Sequence, residues 1–274
     1  CPAFLMAAGL PLPRQIVAHG HWTTERVKMS KSLGNVVAPD DLIEEWGVDP
    51  VRYFFLREAN LSTDADFSAD SIETRVNSEL ADTLGNLATR CTGPALLPEA
   101  CVPFPPGSLQ LSETVDPDHR GMIDAVMRLR SLVARKYDAF EFDHGLAEIM
   151  SVLRETNAYF QRHEPWFLRK KMREGTATAG DEETLNTVLY TVLESLRVAG
   201  ILLQPVVPDS AERLLDHLGV PRGSRSLEEA LFQWERGGAC IGGGESDSSL
   251  DSGKAGKKTD KFVLYAKRKR KKTS

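Results

Sequence analysis

The sequence predicts a mainly helical protein in which a short α/β segment precedes an antiparallel helical bundle and a basic tail. Three observations support this fold class. The β-branched run 16–18 follows an apolar stretch that ends at Gly9. From Ser68 to about residue 218, apolar residues recur at the three- and four-residue spacing of amphipathic helices. Residues 254–274 carry ten Lys or Arg against one acidic residue, which is typical of a solvated tail.

Composition and charge narrow the class of protein. The net charge of −5 hides an asymmetry, because residues 254–274 carry +9 and the remainder −14. An acidic body can still bind nucleic acid through a local basic track. No apolar run approaches the roughly 20 residues that span a bilayer, which argues against a membrane protein. Scattered cysteines without C-x-x-C spacing argue against a zinc site and a disulfide framework and favour a reducing compartment; they are Cys1, Cys91, Cys101 and Cys240.

The first elements form an α/β segment. Residues 1–10 have helical spacing, and residues 16–18 are expected to form a buried strand. His21 and Trp22 are interpreted as packing at the end of this strand, whereas His19 is a candidate for nucleotide contact. A helix, a strand and then a loop is the order found where ligands bind beyond the carboxyl ends of strands.

A short polar loop follows and carries the strongest chemical signal. Lys28 and Lys31 lie three positions apart in the string KMSKS, with hydroxyls at Ser30 and Ser32. Lysine is a mobile point charge toward phosphate, and serine adds hydrogen-bond donors. Gly34 lets the backbone turn at little steric cost. The residues alone fit either a polyanion-binding loop or a solvated surface loop.

Helical patterning then dominates. Residues 40–47 and 50–58 are predicted helices, and Ser68 is expected to cap a longer one that ends at Gly93. Its apolar stripe comprises Val76, Leu80, Leu84, Leu87 and Cys91. Asn86 and Arg90 lie four residues apart on its flank, which is either a solvated face or a recognition surface.

Further helices are predicted to complete the bundle. They begin near residues 116, 146, 181 and 210, and proline-rich residues 94–115 form a surface excursion. Pro165 ends a helix and holds Trp166 at a fixed exit. The indole is either a core residue or an exposed platform that stacks on an unpaired base.

The string KMSKS resembles the second signature of class I aminoacyl-tRNA synthetases. Together with the flanking residues 16–22, 35–42 and 47–54, it resembles the methionyl-tRNA synthetase family of the bacterial and mitochondrial type, over roughly residues 1–220. The resemblance implies that residues 1–67 are the end of a Rossmann-like α/β catalytic domain with a stem-contact region. It further implies that residues 68–236 are an antiparallel α-helical anticodon-binding domain. Residues 237–274 depart from the family, and their composition predicts a disordered Gly/Ser linker and basic tail.

The resemblance also implies site residues. Lys28 and Lys31 are the expected catalytic lysines, and Lys31, with Ser30, Ser32 and His19, is expected to bind ATP, with Mg²⁺ and no zinc site in this chain. Asparagine, arginine and tryptophan at matching positions of the family contact the anticodon. The positions that carry them here are Asn86, Arg90 and Trp166.

The implied activity is ATP-dependent attachment of methionine to tRNA(Met), with methionine, ATP and this tRNA as partners. The family's HIGH signature is absent and the first residue is Cys1, so we expect a carboxy-terminal fragment that does not activate methionine alone. The alternative is a non-catalytic tRNA-binding helical module. Synthetases for isoleucine, valine, leucine or cysteine share the lysine loop, but Asn86, Arg90 and Trp166 argue against them.

Localisation follows from the resemblance alone, which implies the mitochondrial matrix, with the cytoplasm as the alternative. The family usually closes with a segment that returns to the catalytic domain, and residues 237–274 show no such pattern. Disorder, a nucleic-acid-binding tail and a nuclear address are the open interpretations of the basic run. Oligomeric state is left open.

Overall fold

The computed structural model describes residues 2–104, 116–234, 236–242 and 262–269, and these are mainly helical, as predicted. A π-helical segment, Val76–Gly85, joins two of the α-helices. Two short 3₁₀ turns follow the last α-helix, at Arg222–Ser224 and Leu227–Glu229. The α-helices are α1 (Pro2–Ala7), α2 (Pro39–Trp46), α3 (Val48–Glu58), α4 (Ala69–Arg75), α5 (Asn86–Cys91), α6 (Pro117–Asp138), α7 (Phe142–Arg162), α8 (Pro165–Arg173), α9 (Ala179–Leu203) and α10 (Pro208–His217).

A three-stranded sheet has the order β2-β1-β3. Its strands are β1 (Trp22–Thr24), antiparallel β2 (Val27–Lys28) and parallel β3 (Ala65–Phe67). The expected strand at residues 16–18 is wrong: Ile16 is 77% exposed, and no strand pairs with it in the described parts of the chain. Pairing starts at Gly20, whose amide donates to Leu61 O at 3.1 Å.

Residues 69–91 form one continuous helix in three segments, α4, the π-helix and α5. The Ser68 side chain accepts from the Ser71 amide, and the Ser71 hydroxyl accepts from the Ser68 amide, so the predicted cap is confirmed. The predicted stripe is confirmed as well, since all five of its side chains are buried. The π-helical turn in the middle was not expected from the spacing of these residues.

Helices α6, α7, α9 and α10 pack on one another around α9. Helix α9 is long and apolar enough to cross a membrane, but 94% of its apolar stretch is buried inside the protein. It is therefore the core helix of the bundle. Its Glu194 and Arg197 pair at 2.8 Å with full burial. Arg236 also reaches Glu194 at 2.9 Å, and Arg197 donates to Glu229 O at 2.7 Å. These contacts hold residues 229–234 and Arg236 against the core.

Helix α3 connects the sheet end of the molecule to the bundle. The amide of Ser210, in the first turn of α10, donates to the buried Asp49 carboxylate at 2.6 Å. Arg52 donates to Val206 O at 3.0 Å and to Pro205 O at 2.8 Å. The start of α3 is thereby fixed to the loop before α10.

The buried carboxylate of Glu79 joins the end of α3 to the long helix that α4, the π-helix and α5 form. The hydroxyl of Tyr53 donates to it at 2.6 Å, Arg57 approaches it at 3.2 Å and Arg75 at 3.2 Å. Burial and the neighbouring carboxylate raise the pKa of Tyr53 well above its ordinary value, so the phenol remains a donor. We name Tyr53, Arg57, Arg75 and Glu79 the Glu79 cluster.

Residues 262–269 pack against the helices, which corrects the expectation that this part of the tail is disordered. Leu264 is buried, and Phe262 stacks on His217 with centroids 3.7 Å apart. The amide of Arg268 donates to Asn77 at 2.9 Å, and its guanidinium donates to Glu45 O at 2.9 Å. This docking could not be predicted from the sequence, because a short run of apolar residues within a basic segment shows no periodicity. Residues 262–269 therefore contact helices α10 and α2 and the π-helical segment.

Removing the charge of Glu79 should destabilise the fold. Glu79→Gln leaves three groups of the Glu79 cluster, two of them arginines, around a neutral amide, and breaking a buried pair costs about 3–5 kcal/mol of unfolding free energy. Tyr53→Phe, which removes one hydrogen bond, should cost only about 1 kcal/mol. Urea denaturation measures both values. Equal losses in the two variants would contradict the role of the charge.

Stability should also depend on pH through His217. Burial lowers its pKa from 6.5 to about 4, so the unfolded chain binds this proton more readily than the folded one. The contribution is complete above pH 6.5 and is lost as the pH falls from 6.5 toward 4. Urea midpoints should fall across this window, less steeply in His217→Gln. Part of this pH dependence of the urea midpoint should persist in the variant, because burial also lowers the pKa of His119. An unchanged pH dependence in the variant would contradict the role of His217.

Candidate functional site

The lysine loop begins at a tight hairpin. Glu25 and Arg26 both have positive φ, 54° and 62°, which is the geometry of a two-residue turn that matches strand twist. Asp66 of β3 supports the turn, because its carboxylate accepts from the Arg26 amide at 2.8 Å and from the Thr23 hydroxyl. Those hydrogen bonds lower the pKa of Asp66. Lys28 follows directly at the end of β2.

The loop itself is held by its own side chains. Asn35 accepts from the Ser30 amide at 2.8 Å and donates to Lys28 O at 3.3 Å. The Ser30 and Ser32 hydroxyls lie 3.2 Å apart. Gly34 turns with φ +67°, and a Cβ there would meet nothing within 4 Å. The conformation is therefore defined by the loop itself.

Both lysines of the loop face solvent. Lys28 and Lys31 are exposed, and neither forms an ion pair with a carboxylate in the described residues. Ser30 and Ser32 lie between and beside them. Two unpaired cations with adjacent hydroxyls form a donor set suited to a polyphosphate.

The histidines near the loop differ in their contacts. His19 is exposed and has its hydrogen bond to its neighbour, Gly20 O, at 2.7 Å. His21 is exposed and its amide donates to Asp64 at 2.7 Å, so the packing interpretation is wrong for this residue. Trp22 packs edge-on against Phe55 with centroids 4.7 Å apart, which confirms the packing interpretation of this residue. His19 thus lies at the sheet end, without a described contact to the lysine loop.

The three residues predicted for RNA contact lie at α5 and α8. Asn86 is exposed at the start of α5, and Arg90 follows one turn later. The Arg90 guanidinium lies over the Trp166 ring, 5.5 Å from its centroid, and over the Phe160 ring at 5.0 Å. Trp166 is partly buried. The structure thereby brings Arg90 and Trp166 into one stack, with Asn86 on the same helix.

Two further residues belong to this stack and were missed from the sequence. Phe160 of α7 packs on Trp166 with centroids 5.9 Å apart, and Gln161 accepts from Arg90 at 3.3 Å. Their only sequence signal was proximity to Trp166. Helix α8 was not predicted either: Pro165 starts this helix, whereas it was expected only to end the preceding one. Glu164, between α7 and α8, has a left-handed backbone with φ 43°.

Within the described ranges, no group of three or more His, Cys, Asp or Glu side chains could hold a metal ion. The lysine loop offers ammonium groups and hydroxyls, which are hydrogen-bond donors suited to a phosphate.

Comparison with known proteins bears on this geometry. Residues 1–92 match the family model for class I tRNA synthetases (M). The mitochondrial methionine–tRNA ligase of Mus musculus is 41% identical over 239 residues, covering 84% of this chain and 40% of that protein. The methionine–tRNA ligase of Rhizobium meliloti is 40% identical over 82% of this chain. Over more than four fifths of its length the chain is therefore similar to methionyl-tRNA synthetases.

A solved structure agrees with this similarity. The Mycobacterium tuberculosis methionyl-tRNA synthetase in complex with methionyl-adenylate superposes with a TM-score of 0.77 at 36% identity, over 88% of this chain and 45% of that one. The chain thus spans less than half the length of the synthetases that it matches. The similarity extends from the lysine loop well into the helical part.

Asn35 should control the order of the lysine loop. Asn35→Ala removes one hydrogen bond to the Ser30 amide and one to Lys28 O. The amide of Ser30 should therefore exchange with deuterium faster, while global stability changes by only about 1 kcal/mol, since the loop is on the surface. Val36→Ala, at an exposed neighbour, is the matched control. Unchanged exchange at residues 28–33 would contradict the role of Asn35.

Proposed function

We propose that this chain takes part in the ATP-dependent attachment of methionine to tRNA(Met). In this proposal residues 1–67 contribute the end of the catalytic domain, and residues 68–236 the anticodon-binding domain. The observation that carries it is the stack of Arg90 on Trp166, with Asn86 one turn before Arg90 on the same helix. These are the three positions to which the family resemblance assigned anticodon contact.

The lysine loop supports the ATP-dependent half of the proposal. Lys31, with Ser30 and Ser32, would contact the triphosphate, Lys28 would contribute a second charge, and His19 remains a candidate for nucleotide contact. A cation about 4 Å from a developing negative charge contributes about 4 kcal/mol at an effective dielectric constant near 20. Mg²⁺ would accompany ATP as its counterion. Catalysis of this kind requires positioning and charge neutralisation more than covalent chemistry.

The aromatic stack supports the RNA-binding half. An indole presents a π-face to an unpaired base, which contributes about 1–3 kcal/mol per base. Arg90 already covers part of the Trp166 surface, so the guanidinium is oriented by the rings beneath it. Asn86, one turn away and exposed, adds the amide donor and acceptor that read a base edge. Stacking and hydrogen bonding would thus be offered side by side.

The second candidate function is a non-catalytic tRNA-binding module. It keeps the helical part and gives no role to the lysine loop. The internal hydrogen bonds from Asn35 and the two exposed lysines of that loop favour the catalytic interpretation, since a pure RNA binder requires no such ordered loop. The relatives include mitochondrial enzymes and a bacterial one, and we propose the mitochondrial matrix as the location.

Substitution of Trp166 tests the RNA-binding proposal. Trp166→Ala should weaken binding of a methionine-tRNA anticodon stem-loop by roughly 5- to 150-fold, because stacking on a base is lost. Trp166→Phe should retain most of the affinity. Phe4→Ala, at a residue that is 78% exposed on α1, is the control. Filter binding measures affinity, and thermal unfolding checks that each variant is folded.

Equal affinity of Trp166→Ala and the parent chain for the stem-loop would contradict the assignment of Trp166 to anticodon contact. A stem-loop with a different anticodon should bind the parent chain as weakly as the methionine stem-loop binds Trp166→Ala. If both stem-loops bind the parent chain equally, the helical part binds RNA without reading the anticodon. That result would contradict the proposed specificity for the methionine tRNA.

A further inference from the structure

Two cysteines that are distant in sequence face each other on adjacent backbone segments. Cys101 and Cys240 are partners in an antiparallel β-bridge, although 139 positions separate them. The Val102 amide donates to Ala239 O at 2.9 Å, and the Ile241 amide donates to Ala100 O at 2.7 Å. These hydrogen bonds flank the cysteine pair, which makes it a non-hydrogen-bonded pair.

This type of pair brings side chains close together. In non-hydrogen-bonded antiparallel pairs the Cα atoms lie about 4.5 Å apart and both side chains leave the same face. Disulfides form between Cα atoms about 4.4–6.8 Å apart. The backbone already provides the geometry that a bond between the two sulfurs requires.

Surrounding contacts fix both segments. A Cβ at Gly219 would lie 2.0 Å from Cys240 O, so the chain passes directly over this glycine. The Gly242 amide donates to His217 O at 2.8 Å. On the other side, the Phe104 ring lies against Gly237, where a Cβ would lie 2.2 Å from the ring. The pairing is therefore supported at both ends.

The two thiols are accessible and chemically distinct from the third described cysteine. Cys240 is exposed and Cys101 is half-buried, whereas Cys91 is fully buried. Burial raises the pKa of Cys91 to about 12, so it is inert toward oxidants. Partial burial and the adjacent Cys240 thiol raise the pKa of Cys101, which favours Cys240 as the first thiol to react.

We propose that Cys101 and Cys240 form a reversible disulfide that ties the segment after α5 to the segment before the docked tail. Nothing in the proposed aminoacylation requires this site, and it stands independently of that function. The oxidant is a small disulfide such as oxidised glutathione. The same thiols remain reduced in a compartment with a reducing thiol pool.

The chemistry proceeds by two exchanges. The Cys240 thiolate attacks one sulfur of the small disulfide, whose S–S bond breaks and releases one glutathione thiolate. The Cys101 thiolate then attacks the Cys240 sulfur of the mixed disulfide and releases the second glutathione. Two protein thiols are oxidised to one disulfide, one glutathione disulfide is reduced to two thiols, and the two protein protons pass to the two glutathiones.

The test uses the whole chain in a Cys1→Ser background, which removes the remaining thiol outside the described residues. After equilibration with oxidised glutathione, peptide mapping should find Cys101 joined to Cys240 within one molecule, with Cys91 still free. The midpoint of thermal unfolding should rise by about 5–10 °C, because the crosslink closes a long loop. Dithiothreitol should reverse both changes.

Matched variants separate the crosslink from a glutathione effect. In Cys101→Ser, oxidised glutathione should leave only a mixed disulfide at Cys240 and no rise in the unfolding midpoint. Cys240→Ser should show no crosslink. A persistent mixed disulfide in the Cys1→Ser chain, a crosslink between molecules, or a crosslink without a rise in the midpoint would each overturn the proposal.

Discussion

The Glu79 carboxylate is the group on which the connection between the two parts of the molecule depends. It lies in the long helix and is buried, and it receives the Tyr53 hydroxyl and the Arg57 guanidinium from α3. A buried charge is tolerated only when several donors compensate its desolvation. The arrangement therefore fixes α3 against the long helix, and α3 in turn is fixed to the start of α10 by Asp49 and Arg52.

The molecule carries two candidate sites of different character. The lysine loop is a surface segment whose shape is set by hydrogen bonds within it, and its charges face solvent. The Arg90 stack is built on packed helices, and its guanidinium is oriented by Phe160 and Trp166. In the proposed function, the first would move over its ligand at small energetic cost, whereas the second is preorganised and would lose little conformational entropy on binding.

Much of the helical part followed from local signals. The Ser68 cap and the stripe through Cys91 were predictable because capping and burial depend on neighbours three and four residues apart. The expected strand at residues 16–18 failed because β-branched residues indicate a strand only where a partner strand exists. Local pattern identifies candidates for strands but does not supply their partners.

The remaining errors concern long-range contacts. Docking of residues 262–269 depends on His217 and Asn77, which are far away in sequence. The Cys101–Cys240 bridge could likewise not be predicted from cysteine spacing, since the two residues are 139 positions apart. At the candidate site, the residue types at Arg90 and Trp166 were identifiable, but the guanidinium–indole stack required the fold.

Glu164 gives the stack a constraint of its own. Its left-handed backbone, with φ 43°, turns the chain between α7 and α8, and Pro165 disfavours the right-handed helical region for the residue before it. Relatives that preserve this corner should therefore tolerate glycine or asparagine at the position of Glu164 and reject valine, isoleucine and threonine. The corner sets the direction in which the indole leaves the helix, so a residue that touches no ligand would still influence which base the indole meets.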